Sequence, residues 1–135
     1  MSHKTILEII GKVPGSKAVF FNAAAASNDP LERMKYVITA SYAYLYPCHM
    51  WDKPLSPILG ETYQASLQDG TSIFMEQVCH KPPISYVLVE GPNGSYQWSG
   101  YTSFSVKASL NSINLTCGGH KVIKFPDGSE IIYNN

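Results

Sequence analysis

The sequence predicts a mainly β protein led by an N-terminal helix, its strands running as an antiparallel meander. Two observations carry this. From residue 61 onward, short runs rich in Val, Ile, Thr, Tyr and Phe are bounded by turn signals: Asp69-Gly70, Pro82-Pro83, Asn93-Gly94, Gly118-Gly119 and Pro126-Asp127-Gly128. Ahead of Trp51, apolar residues instead recur at helical spacing behind an N-cap signature. With 135 residues, 44% of them hydrophobic, the chain suits one compact domain and is short for two.

Residues 1–28 form a separate N-terminal segment. Ile6, Leu7, Ile9, Ile10 and Val13 fall on one helical face, which predicts an amphipathic helix packed on the body or acting as a lid. Lys4 and the run Ala23-Ala24-Ala25-Ala26 imitate parts of a signal peptide, but Glu8, Lys12, Pro14 and Lys17 interrupt any apolar core it would need. No apolar run approaches the roughly 20 residues of a spanning helix.

A helix is expected from Asp29. Asp29 is a good N-cap, Pro30 suits the first turn, and Glu32 stands where a capping-box carboxylate reaches back. Leu31, Met34, Val37 or Ile38, Tyr42 and Leu45 recur on one face, expected to pack on a sheet, until Pro47 stops the helix. Tyr36, Tyr42, Tyr44 and Tyr46 are read as core or rim tyrosines with hydroxyls at their ends. Lys53-Pro54 and Ser56-Pro57 then force an extended connector.

Strands are predicted over 61–67, 71–78, 84–90, 96–108 (bent or broken at Gly100), 111–117, 120–125 and 130–133. The last of these, Glu130-Ile131-Ile132-Tyr133, carries no lysine or proline to blunt its edge, which leaves that edge open to self-association.

Charge and cysteine usage narrow the function. Ten Lys and Arg balance ten Asp and Glu, with Arg33 the only arginine, so a nucleic-acid partner is not expected. Cys48, Cys79 and Cys117 are odd in number and widely spaced, as in reduced cytosolic chains. Cys48-His49, Cys79-His80 and Cys117 with His120 raise the question of a metal. Neighbours on a strand point to opposite faces, so neither dipeptide aims both ligands at one ion, and no metal or other cofactor is expected. No nucleophile elbow, phosphate loop or paired-carboxylate motif is present, and an enzyme is not expected.

The functional signal is Glu76-Gln77-Val78-Cys79-His80-Lys81-Pro82-Pro83. Two prolines stop a strand abruptly, leaving an imidazole and an ammonium side by side at its end, a pair suited to gripping a phosphate. Lys53 and His80-Lys81 taken alone are ordinary solvated residues beside turns; Glu76 and Gln77 are expected to be architectural, and Cys79 a small buried side chain.

The octet resembles the signature of the oxysterol-binding protein family, Glu-Gln-Val-Ser-His-His-Pro-Pro, with Cys79 for the serine and Lys81 for the second histidine. The stretch from Lys53 to Tyr63 resembles the family's Lys-Pro-Leu-Asn-Pro-Ile-Leu-Gly-Glu segment with Ser56 for the asparagine, and Asp29-Pro30-Leu31-Glu32-Arg33-Met34-Lys35 is similar to the helix start before it. The resemblance implies that residues 29–135 are a partial lipid-binding domain, the front part of an incomplete antiparallel β-barrel around a lipid tunnel. It implies binding and intermembrane transfer of sterol, phosphatidylinositol 4-phosphate or both, without bond chemistry, by a cytoplasmic protein in transient peripheral contact with membranes. Carried over by position, Lys53, Ser56, His80 and Lys81 are the candidate headgroup ligands. Ser56 keeps a hydroxyl while losing the amide's reach, and Lys81 keeps positive charge while losing the planar imidazole. The alternative expectation is a truncated member that encloses no lipid and acts as an interaction module or inactive fragment.

Overall fold

The computed structural model describes residues 4–43 and 54–134. Three helices, α1 (Ile6–Ile10), α2 (Lys12–Ala26) and α3 (Pro30–Ala43), precede seven strands: β1 (Thr62–Ser66), β2 (Ser72–Cys79), β3 (Ile84–Glu90), β4 (Gln97–Ser109), β5 (Ser112–Gly118), β6 (His120–Lys124) and β7 (Glu130–Asn134). The expected mainly antiparallel architecture behind leading helices is what forms, as an open sheet ordered β1-β2-β3-β4-β6-β7. The meander has one departure. β5 pairs with β4 but lies off that path, because β4 changes partner along its length. Its residues 97–100 pair with β6 and its residues 103–109 with β5.

Gly100 marks the change. The strand is continuous there rather than broken, but φ is +154° and a Cβ would overlap the carbonyl oxygen of His120 on the neighbouring strand. Only glycine permits that approach.

The N-terminal segment holds more helix than its apolar pattern predicts. α1 is capped by Thr5, whose Oγ1 accepts from the Glu8 N–H at 3.4 Å while Glu8 Oε2 accepts from the Thr5 N–H at 2.8 Å. Gly11 then separates α1 from α2, and a Cβ on it would overlap the Tyr63 ring. The alanines 23–26 are the end of α2, and Phe21 and Ala24 are buried.

α3 turns a different face inward from the one expected. Val37, Ala40 and Arg33 are buried, whereas Leu31, Met34, Ile38 and Tyr42 are between 41 and 68% exposed. Its most extensive packing is against α2, where small residues such as Ala40 and Ala24 let the two helices meet closely, and through Val37 and Ala40 it also joins the core beneath the sheet. The expected capping box is also absent. Asp29 caps as predicted, accepting from the Leu31 N–H at 3.0 Å, but Glu32 bonds Lys35 and Ser27 Oγ takes the Asp29 N–H. Tyr44, Leu45, Tyr46 and Pro47 lie outside the described residues.

Arg33 fastens the helices to the far end of the sheet. Its guanidinium donates to the carbonyls of Ala24 and Ser27, to Ser129 Oγ and to Asp127, the last as an ion pair at 2.6 Å, and stacks over the Phe125 ring. Ser129 and Arg33 together hold the Asp127 carboxyl well below the usual carboxylate range.

The core lies between the helices and one face of the sheet: Leu7, Phe21, Ala24, Val37 and Ala40 against Ile73, Met75, Val87, Val89, Tyr96, Trp98, Ile123 and Phe125. Phe21 meets the Tyr96 ring edge-on at 5.5 Å and tilts against Trp98 at 5.6 Å. Trp98 Nε1 donates to the Tyr133 hydroxyl at 2.9 Å.

Candidate headgroup site

The site begins where the core face of β2 turns polar. Ile73 and Met75 are followed on that face by Gln77, which is buried. Its Nε2 donates to the Cys79 carbonyl at 2.6 Å and its Oε1 accepts from Ser85 Oγ at 2.7 Å. Both ends of the amide are therefore satisfied within the sheet, which meets the requirement on a buried polar group. The β2–β3 register skips Val78, a bulge that bends the end of β2 and re-aims the residues after it.

Those residues are His80, Lys81, Pro82 and Pro83, all exposed, with a cis peptide between Lys81 and Pro82. The Phe104 N–H donates to the Pro83 carbonyl at 3.3 Å and fastens the turn to β4. Among the described residues neither His80 nor Lys81 makes an ion pair, so their donors face solvent, as an anion site requires.

The connector reaches the same end of the sheet. Gly60 N–H donates to the Gln77 carbonyl and Gln77 N–H to the Glu61 carbonyl, each at 2.9 Å, continuing the β1–β2 ladder past Thr62. Upstream, Leu55 pairs with the N-terminal segment: Ile6 N–H donates to the Leu55 carbonyl and Leu55 N–H to the Lys4 carbonyl, each at 3.0 Å. Ser56, exposed, sits between these two anchorages, and Pro57 beside it is buried. The ladders thus bring Ser56, His80 and Lys81 to one end of the sheet. Lys53 lies outside the described residues. Glu76 is exposed on the opposite face and Gln77 is the buried brace, in keeping with the architectural roles expected of them.

Two further cations lie deeper. Lys17 and Lys121 are both buried and both approach the Trp98 ring, at 4.8 and 5.6 Å from its centre. Lys121 Nζ donates to the Tyr101 carbonyl and to Thr102 Oγ1, each at 2.8 Å. Burial, reinforced by the charge of Lys17, pushes its ammonium down to about 8. Sequence reasoning passed over Lys121, although strand alternation with Ile123 and Phe125 places it on the core face. Nothing in the pattern singles out Lys17.

Cys79 is half-buried and Cys117 exposed, both free thiols, and among the described residues no three His, Cys, Asp or Glu side chains gather to hold a metal. Cys48 and His49 lie outside them. An open cavity of about 560 Å³, lined by Gly70, Glu90, Tyr96, Gln97, Lys124 and Phe125 among others, lies at the opposite end of the sheet from the octet.

The family model described as oxysterol-binding protein matches residues 16–135. The chain belongs to the oxysterol-binding protein family. Within the family it is 34% identical to oxysterol-binding protein 9 of Dictyostelium discoideum over 96% of its own length, covering 30% of that protein. Two crystal structures of the Osh1 ORD domain, in complex with cholesterol and with ergosterol, superpose on 97% of the chain with a TM-score of 0.80 at 26% identity, and the chain covers 32% of each. The chain therefore spans about a third of the length of these relatives, and its matches to other curated family members cover as little as 8% of theirs. No helix among the described residues is long and apolar enough to cross a membrane.

Proposed function

We propose that this chain binds a lipid, with the phosphate of phosphatidylinositol 4-phosphate held by Lys53, Ser56, His80 and Lys81 and with sterol as a second cargo, and that it carries lipid between membranes from the cytoplasm through transient peripheral contact. Residues 29–135 would carry the lipid-binding portion and residues 1–28 a covering segment. The observation that carries this reading is the octet: its buried Gln77 braces a turn whose His80 and Lys81 donors are left to solvent. The Osh1 complexes with cholesterol and ergosterol support the choice of sterol. Exchange needs no covalent step. Burial of apolar lipid surface, at about 25 cal/mol per Å², offsets its removal from the bilayer, while charge-assisted hydrogen bonds select the headgroup.

A second reading, a non-transporting member acting as an interaction module, is favoured by the apolar stripe Leu31, Met34, Ile38 and Tyr42, exposed on α3, and by the β7 edge, unpaired among the described residues. Self-association would cover such surfaces.

The test mixes purified protein with liposomes containing phosphatidylinositol 4-phosphate or a fluorescent sterol and measures lipid brought into the soluble fraction. Near-stoichiometric extraction of the phosphoinositide, lowered at least tenfold in His80→Ala/Lys81→Ala, is the expected result. A folded monomer that extracts neither lipid overturns the transfer reading.

A further inference from the structure

The distal half of β4 alternates in a way the packed core does not use. Phe104, Val106 and Ala108 share one side, and Ser103, Ser105, Lys107 and Ser109 the other, with Leu110 following in the turn at the hairpin's tip. Such alternation ordinarily marks a strand with one buried face. Here Val106 is 63% exposed, Ala108 is exposed and Leu110 is fully so.

The hairpin is nonetheless well formed. Residues Ser103 to Ser109 pair in unbroken register with β5, and the two hydroxyls of Ser109 and Ser112 lie 2.6 Å apart across its tip. Its position matters as much as its pattern. The Pro83 carbonyl meets Phe104 where the octet's turn ends, and β4 continues five residues further, roughly 17 Å at about 3.4 Å per residue. The hairpin is thus a finger projecting past His80 and Lys81 from the same end of the sheet. Cations lie on the hairpin side of this end, while Glu61, across from Gln77, and Glu76 lie behind it on β2 and the connector. Residues 77–89 and 91–126 contain no Asp or Glu, while His80, Lys81 and Lys107 are all exposed.

We infer that the β4–β5 hairpin is a membrane-docking finger whose partner is an anionic bilayer surface. Leu110 enters the boundary between headgroups and acyl chains, and Lys107, three residues back, lies at the level of the phosphates, with Lys81 and His80 above it. An exposed apolar tip backed by lysines is what partitioning to such an interface requires: apolar burial and electrostatic attraction act together. The inference rests on the lipid reading above, whose membrane contact it localises.

Vesicle pelleting tests it separately from extraction. The 135-residue chain is mixed with vesicles of phosphatidylcholine alone, or with about one part in three phosphatidylserine, and bound protein is measured by sedimentation. Binding is expected only to the anionic vesicles, falling about fivefold in Lys107→Ala, about tenfold in Leu110→Ser, and largely lost in concentrated salt. The fluorescence of Leu110→Trp, taken as a difference from the unsubstituted protein, is expected to shift to the blue on the anionic vesicles. Pelleting with these dependences but without extraction leaves the finger standing while the transfer reading fails. Pelleting indifferent to both substitutions, or an unshifted Leu110→Trp, overturns the finger whatever happens to transfer. Loss of a dimer in Leu110→Ser without vesicle binding overturns it in favour of a second copy as the occupant.

Discussion

One strand divides the molecule. Over residues 97–100, β4 pairs with β6, and its core side carries Trp98, sealed under Phe21 and hydrogen-bonded to Tyr133. Over residues 103–109 it pairs with β5, and nothing among the described residues covers Val106 or Leu110. The backbone ladder is equally regular in both stretches, so hydrogen bonding does not distinguish them. Side-chain burial does. Strand geometry costs little to extend once started, whereas stability comes from the apolar area a strand covers. The first half holds the fold, and the second, with the octet's turn fastened beside it, is free to carry a site.

The substitution with the largest expected effect strikes the junction. Gly100→Ala places a methyl group into the His120 carbonyl at a φ that L residues rarely adopt. The β4–β6 pairing must open, at a cost of about 4 kcal/mol or more. Urea unfolding is expected to show a large fall in midpoint. A loss below about 1 kcal/mol would mean that β4 changes partner by some freedom other than the glycine, and the division drawn at this residue would not hold.

The second effect is a pH dependence confined to the covered half. Folded, Lys121 releases its proton at about 8; unfolded, at its ordinary 10.5. Between those values the unfolded chain binds more protons, so stability rises as pH rises through the window, the reverse of a lysine that gains a partner. The gain by pH 10 is on the order of 2 kcal/mol at 1.36 kcal/mol per unit. Above about 10 it is opposed, because burial raises Tyr96 and Tyr133 and their unfolded phenols ionise first. Lys121→Met is expected to abolish the rise between pH 8 and 10 in urea titrations. A rise that persists in the variant would place the titrating group elsewhere.

The sequence made the two halves unequally legible. Turn dipeptides located the seven strands to within a residue or two, because Gly, Pro and Asn act locally on φ and ψ. The octet located His80 and Lys81 for the same reason. What stayed hidden depends on partners distant along the chain. Arg33 sat inside a recognised helix start, yet its bonds to Asp127 and Ser129 span more than ninety residues. The α3 stripe misled because periodicity marks an apolar face without saying what covers it; the helix turned its narrower side, Val37 and Ala40, toward α2. The partner change of β4 was visible only as a glycine in a strand. Of the headgroup candidates, Ser56 could be assigned to the same end of the sheet as His80 only once the ladder from Glu61 to Gln77 was known.

Gln77 ties the two halves together, and the smallest predicted effect on stability is here the most informative. Its amide is buried with the core, yet what it holds is the backbone of Cys79, one residue before His80. Gln77→Leu keeps the volume and the apolar contacts while leaving the Cys79 carbonyl and the Ser85 hydroxyl without that partner, a loss of about 1–2 kcal/mol. A marginal loss of that size leaves most of a normally stable domain folded, so phosphoinositide extraction should stay unchanged if Gln77 serves the core alone. If instead the amide positions the turn, extraction falls severalfold in a protein that is still folded by circular dichroism, and Ser85→Ala, which removes the outer hydrogen bond but not the one to Cys79, falls much less. Equal losses in the two variants would mean that the turn is held by its own prolines and by Phe104, and that the covered half supports the site only by being folded.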